Sequence, residues 1–508
     1  MKLLSAGLAV CILLTFTLTG CGLIIINEQG EAEPKETEIT EVTTELPETT
    51  VAVTIHMPES DKPVKPIEPE DKRALAAQYL NELPEYDFGN LAVLITSPEI
   101  TSLVPQSTEN FMYNTRIERN QAVEEKYSTK VIGGEEEFRT VYDKTYSAVY
   151  SGDFYTDILG VPMGALGQFY KDGLLMNLNM LPFIDYTKPY YDSGAITQMS
   201  VGNATYGLIG DFNKNMDYYY VMYFNKNLIK QFGLDNPYDL VYDNEWTMDK
   251  FRQMTRTVSN TEGIYGHGAS MTIESYVDMF FGSTGEKYMD VGLGKIPAPR
   301  YNTTRTENLA AVLRNLLYND NTVFDGDGGN GAYTEEGART AFYDGKILFY
   351  IDRVNAMGWF VDMNDDWGLV PIPKLDKSQR YNTFVNEALP VICVPANITN
   401  INNTGLAIQA LNAASYGFIN ENYYSVLQRD VVRDTDSLNM LDYINGKEKK
   451  GQISVDFALM FGSVYTYIAD GTYKAVQTAV KNNYTISSIF DRHVNNIRNH
   501  NRNVFTLN

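Results

Sequence analysis

The hydrophobic positions of this chain come in three textures. Leu3 to Leu18 is almost wholly apolar or small and follows the positive start Met1 and Lys2, the pattern of a secretory signal. From Glu28 to Thr50 the chain carries eight Glu and one Lys, with Thr and Pro between them, and cannot bury enough apolar area to order itself. The Pro-rich stretch Pro58 to Pro69 continues this spacer in a stiffer, extended form. Glu70 to Leu83 then has helical spacing at Leu75, Tyr79 and Leu83, which predicts a short helix that docks on the body or frays from it.

Beyond residue 90, short apolar runs alternate with helical periods. Leu91 to Ile95 is a continuous run stopped by Thr96, Ser97 and Pro98, as expected for a strand buried on both faces. A helix is predicted over Phe111 to Tyr127, a strand over Thr129 to Ile132, a helix over Glu135 to Tyr150 and a strand from Asp157 to Leu159, ended by Gly160 and Pro162. A second series opens with the aromatic strand Tyr218 to Phe224, where Asn225 caps a short helix that Gly233 ends. Thr247 is the expected N-cap of a helix through Phe251, Met254 and Val258. Gly345 to Ile351 reads as a buried strand broken by Asp352 and Arg353, Trp367 to Pro371 and Ala388 to Val394 as return strands, and the chain after Asn403 as chiefly helical. This alternation predicts α/β architecture with open sheets, whose ligand crevice lies beyond the carboxyl ends of the strands. Residues 96–99 and 160–164 are the first such ends.

With 508 residues, 44% of them hydrophobic, the chain is long enough for two cores and too apolar for general disorder. Its 41 Lys and Arg against 64 Asp and Glu give a net charge of -23, which repels phosphate backbones and excludes nucleic acid as an expected partner. Only Cys393 of the three Cys lies in the folded part, so no disulfide framework is available there. The four His are scattered and form no HExxH pair, and no CxxC occurs, so neither zinc nor a cofactor is expected.

The apolar start ends in Leu18, Thr19, Gly20 and Cys21. That tetrapeptide resembles the lipobox of bacterial lipoproteins, which implies a signal peptide over 1–20, lipidation of Cys21 and a tether over 21–85. An uncleaved helix running on through Leu23 to Ile26 is the plainer alternative. Five further pieces occur in order: Tyr206-Gly207-Leu208; Val221 to Leu228; Trp246 to Phe251; Phe342 to Lys346; and Gly368 to Lys374. Together, over roughly Asn90 to Lys374, they resemble the extracellular solute-binding proteins of bacterial ABC importers, the carbohydrate-binding group that includes maltose-binding protein. Tyr423, Tyr424, Arg433, Asp434, Ser437 and Met440 to Asp442 resemble a subset with long, Tyr-rich lobes. The resemblance implies a two-lobed, periplasmic-binding-protein-like fold of type II, with two open α/β sheets joined by hinge crossovers. Lobe one is then 90–209 with 368–397, and lobe two 210–366 with 400–508. It further implies a monomer that takes a sugar or oligosaccharide between its lobes and delivers it to an ABC permease.

A sugar offers hydroxyls in bidentate arrays and one apolar face per ring, so its site calls for carboxylates, amides or Arg beside an aromatic platform. Seven residues fit these demands at expected strand ends or crossings, Glu99, Asp211, Tyr220, Asp352, Arg353, Trp359 and Glu387, and Met163 in the 160–164 turn is an expected apolar lining of the cleft. Each has a plainer reading, as a loop carboxylate, a turn residue, a hinge cap, a mutual Asp352 to Arg353 ion pair, or core packing. The three Trp depart from the maltose-binding type, and Asn355 lies near where a cleft Trp of that type would fall, although the 36 Tyr can replace such platforms. Asp325, Asp327, Gly331 and Glu336 match EF-hand positions, but Gly329 and Asn330 break the pattern and no metal is expected. The formal GxGxxG at 326–331 has acidic flanks that repel a pyrophosphate. The rival functions are a surface-anchored glycan hydrolase using a pair such as Asp352 and Asp211, and a sensor subunit not coupled to uptake.

Overall fold

The computed structural model describes residues 72–107, 111–286, 289–299, 303–324, 335–417, 427, 431–444, 454–456, 472–489 and 491. The expected signal segment, Cys21, most of the expected tether, residues 325–334, Tyr423 and Tyr424 lie outside these residues. Eight strands make the two main sheets: β1 (Val93–Ser97), β2 (Val131–Glu135), β3 (Ile158–Pro162), β4 (Tyr220–Asn225), β5 (Tyr265–Ala269), β6 (Ile347–Arg353), β7 (Trp367–Val370) and β8 (Pro390–Cys393). The longer helices are α1 (Lys72–Asn81), α2 (Phe111–Tyr127), α3 (Phe138–Ser151), α4 (Met248–Val258), α5 (Ile273–Ser283), α6 (Thr304–Arg314), α7 (Glu335–Tyr343), α8 (Ile401–Ser415), α9 (Thr435–Ile444) and α10 (Thr472–Asn482).

The lobe-one sheet has the order β8-β3-β1-β2, with β1 parallel to β2 and β3 and the returning β8 antiparallel to β3. The lobe-two sheet has the order β7-β4-β6-β5, in which β6 runs parallel to β5 and antiparallel to β4. Two segments cross between the sheets side by side, with Leu208 bridged to Ile392 and Tyr219 to Val385. The Asn213 amide ties them by donating to the carbonyls of Leu208 at 3.2 Å and Pro390 at 2.8 Å. The predicted two-lobed α/β architecture is therefore the observed one.

Local chemistry sets several element ends where the sequence places them. The Asn225 side chain accepts from the Leu228 N–H at 3.0 Å, and Thr247 accepts from that of Lys250 at 3.4 Å, so both act as N-caps. Trp246 and Trp367 are buried, with their indole N–H groups donated to the carbonyls of Pro371 and Phe360. Their satisfied donors and buried rings make them core, which leaves Trp359 as the one exposed tryptophan.

Three expectations differ from the structure, and one strand lies where none is predicted. Residues 72–81, assigned to the tether, form α1, whose Ala76 and Leu80 are buried against α8, so the folded body begins before residue 85. Helix α8, assigned to lobe two, lies between α1 and α2 in the lobe-one core, where every residue from Asn403 to Ser415 is buried and the amides of Asn403, Gln409 and Asn412 are hydrogen-bonded. Strand β6 is not broken at Asp352: Asp352 and Arg353 pair with Val221 and Tyr220, carrying the strand two residues further. Strand β5 has no counterpart in the apolar pattern, since Tyr265-Gly266-His267-Gly268-Ala269 has glycines where a strand usually carries bulk.

Candidate functional site

The carboxyl-terminal ends of three strands, β1, β3 and β6, and the paired crossovers meet at the face between the lobes. After β1, the Ser97 hydroxyl accepts from the Glu99 N–H at 3.1 Å and the Ser102 hydroxyl donates to the Glu99 carbonyl at 2.7 Å, which fixes the backbone of Glu99. Its carboxylate accepts from the Tyr218 hydroxyl at 3.3 Å. Tyr218 stands on a turn in the first crossover that Asn215 caps. Burial, reinforced by Glu99, holds the Tyr218 phenol well above its ordinary pKa, so it stays a donor.

The second crossover answers this turn. The Asn386 N–H donates to the Tyr218 carbonyl at 2.7 Å, and the Asn386 side-chain amide donates to the Tyr220 hydroxyl at 2.8 Å. The Tyr220 ring lies 5.6 Å from that of Phe384. Glu387, the next residue, accepts from the Gly164 N–H with its carbonyl at 2.9 Å, which joins it to the turn after β3. From the lobe-two side Arg353 stands opposite Tyr220 in the ladder. Burial raises the Tyr220 phenol, while Arg353 and Glu387 pull on it in opposite senses.

A buried cation that the sequence pattern hides stabilises this arrangement. Arg119 of α2 donates to the carbonyls of Leu103, in the loop after β1, and Phe212, in the first crossover, and its guanidinium lies 4.6 Å from the Phe212 ring centroid. Burial, with Arg116 nearby, lowers its pKa well below the usual value. The side chain therefore ties the loop that carries Glu99 to the hinge.

Solved structures share this architecture. The cyclo/maltodextrin-binding protein complexed with maltotetraose superposes with a TM-score of 0.53 at 14% identity, over 80% of this chain and 96% of that one. The apo-form of RafE from Streptococcus pneumoniae gives 0.51 at 15% identity, over 83% and 98%. A family 1 extracellular solute-binding protein from Bifidobacterium longum subsp. infantis gives 0.51 at 13% identity, over 78% and 96%. This is the two-lobed fold of the solute-binding proteins. No family model and no curated protein sequence matches the chain.

Within the solute-binding-protein fold, the residues expected at a site divide into two groups. Glu99, Tyr220, Arg353 and Glu387 come together around Tyr218 and Asn386. Among the described residues, Arg353 and Glu387 form no ion pair, so their charges are uncommitted. Tyr218 lacked a distinguishing signal, being one of three consecutive tyrosines.

The other four lie elsewhere. Met163 is 0% exposed and packs in the core with Leu166 and Phe169, because the turn after β3 directs its side chain inward. Asp211 accepts from the Gly417 N–H at 2.9 Å, beside Lys214, Asp192 and Lys72, and is a cap for the end of α8. Asp352 is buried and accepts from Tyr350 at 2.6 Å, with Arg339 at 3.3 Å, so neither ligand contact nor a pair with Arg353 describes it. Trp359 is 64% exposed on the helical turn after β6, with the Arg339 guanidinium 5.0 Å from its ring centroid. Among the described residues no group of three or more His, Cys, Asp or Glu is gathered to hold a metal ion.

Proposed function

We propose that this chain is a lipid-anchored, extracytoplasmic receptor that takes a carbohydrate, expected to be an oligosaccharide, between its lobes and hands it to an ABC permease. The observation that carries the reading is the gathering of Glu99, Tyr218, Tyr220, Arg353 and Glu387 at strand ends of two hinge-linked lobes. Carboxylates and a guanidinium suit vicinal hydroxyls, the phenol rings suit the apolar face of a pyranose, and lobe closure supplies the enclosure. The names of the solved structures with this fold, one of them complexed with maltotetraose, favour the same ligand class.

The hydrolase alternative is disfavoured by the same geometry. Asp352 is held by Arg339 and Tyr350, and Asp211 by the Gly417 amide, so the pair is committed to structure. Anchoring rests on Cys21 after the apolar signal segment; among the described residues no helix is long and apolar enough to cross a membrane. The receptor acts as a monomer, without cofactor and without nucleic acid.

A thermal-shift screen of the chain against mono- and oligosaccharides, peptides and polyamines tests the proposal. Occupancy at a hundred times Kd adds about 2.7 kcal/mol, enough for a clear rise in melting temperature. A shift with one glycan class is the expected result, and a shift with peptides or polyamines alone overturns the carbohydrate reading.

A further inference from the structure

The lobes touch at a place that neither crossover explains. Between α5 and α6 of lobe two, the hairpin Met289–Asp290 and Ala298–Pro299 projects a tip of residues 291–297. That tip reaches the lobe-one hairpin Ser200–Val201 and Ala204–Thr205. Gly202 donates its N–H to the Lys295 carbonyl at 2.8 Å and accepts from the Gly294 N–H at 2.6 Å. The two chain segments thereby form an antiparallel bridge from lobe to lobe.

We infer that this hairpin is a releasable strap that sets the resting arrangement of the lobes. Its hydrogen bonds can open without stranding buried groups, since Gly294 and Lys295 are exposed and Gly202 is half-buried. The Lys295 ammonium is bound to Asp290 of its own hairpin at 3.0 Å, so that charge is not part of the grip on lobe one. Gly202 makes the bridge with φ at 60°, a conformation open to glycine and tolerated by Asn but strained for a β-branched residue. A rotation about the crossovers must carry the strap along or break it, so the strap weights the ligand-free equilibrium and, through it, apparent affinity. The inference needs only the two-lobed fold and is independent of the ligand.

The test is an interlobe distance measurement by double electron–electron resonance on the full chain with Cys11 and Cys21 replaced by Ser. Nitroxides are placed at Glu125→Cys on α2 and Gln253→Cys on α4, while Cys393 is buried. Two variants break the strap: Gly202→Val, and replacement of Gly292 to Lys295 by an Asn-Gly turn that closes the hairpin short of lobe one. Both are expected to move at least ten-fold more of the population away from the parent distance, about 1.4 kcal/mol, and Gly202→Asn is expected to restore the parent distribution. An unchanged distribution in the shortened hairpin overturns the inference. Loss of cooperative melting in that variant also overturns it, because the hairpin would then be part of the core.

Discussion

The Arg339 guanidinium lies 3.3 Å from the Asp352 carboxylate and 5.0 Å from the Trp359 ring centroid, so one cation joins β6 to the exposed aromatic turn that follows it. Asp352 alternates with Arg353 along the strand, and the two side chains face opposite ways. Removing the charge in Asp352→Asn is expected to cost about 1–3 kcal/mol, less than for a fully buried pair because Arg339 keeps some solvent. Calorimetric melting reads the loss, while affinity for the ligand stays within a few-fold. A hundred-fold loss of affinity without loss of stability would instead make Asp352 a ligand contact.

Arg353 and Glu387 give the opposite expectation. Neither is in an ion pair among the described residues, so Arg353→Ala and Glu387→Gln leave the melting temperature within about 0.5 kcal/mol equivalent. If the proposed site is correct, each is expected to remove a charge-assisted hydrogen bond to the ligand, worth about 1.5–3 kcal/mol, or roughly ten- to hundred-fold in Kd by titration calorimetry. Affinity unchanged in both variants would move the site away from this face.

Much of this architecture is legible in the sequence because it is made of short buried runs. Leu91 to Ile95 and Ile347 to Ile351 announce themselves as apolar stretches, and Asn225 and Thr247 as caps. Strand β5 escapes because its packing demand is for smallness, and the lobe holding α8 escapes because an apolar helix does not name its neighbour. The site is less legible for a different reason. Arg353 and Asp352 are adjacent and equally polar, yet alternation sends one to the face it shares with Tyr220 and the other toward Tyr350 and Arg339. Arg119 on an Arg- and Glu-rich helix has the pattern of a solvated residue, and only its meeting with Leu103 and Phe212 makes it a hinge tie.

Gly266 measures how closely α4 approaches the sheet. A Cβ there would stand 2.5 Å from the Thr255 Cβ and 2.8 Å from the Thr255 carbonyl oxygen, and a helix backbone cannot yield as a side chain can. Gly266→Ala is therefore expected to destabilise by about 1–3 kcal/mol, read as a lower urea midpoint with unchanged slope. The double variant with Thr255→Ala keeps the residue-255 Cβ, Cα and carbonyl that the new methyl meets, so it is expected to recover little of the loss. Full recovery would mean that the Thr255 hydroxyl and methyl, and not its Cβ and backbone, set the contact.

Two buried groups drive the acid response in opposite directions. Burial pushes His267 down from 6.5 to about 3, so between those values the unfolded chain binds the extra proton and stability falls as pH falls. Burial pushes Asp211 up from 3.8 to about 6, against the pull of Lys214 and the Gly417 amide, so between 3.8 and 6 the folded chain binds the proton and stability rises as pH falls. The Asp211 contribution thus masks part of the His267 loss below pH 6. Asp211→Asn keeps an acceptor for Gly417 but removes the titration, and it is expected to steepen the stability loss between pH 6 and 4 by about 1 kcal/mol per unit. At pH 7.5 the variant is expected to be at least as stable as the parent, since a buried negative charge is gone and Lys214 keeps Asp192 at 3.7 Å. Denaturant midpoints at four pH values decide the matter, and parallel curves for parent and variant would show that Asp211 does not titrate in this range.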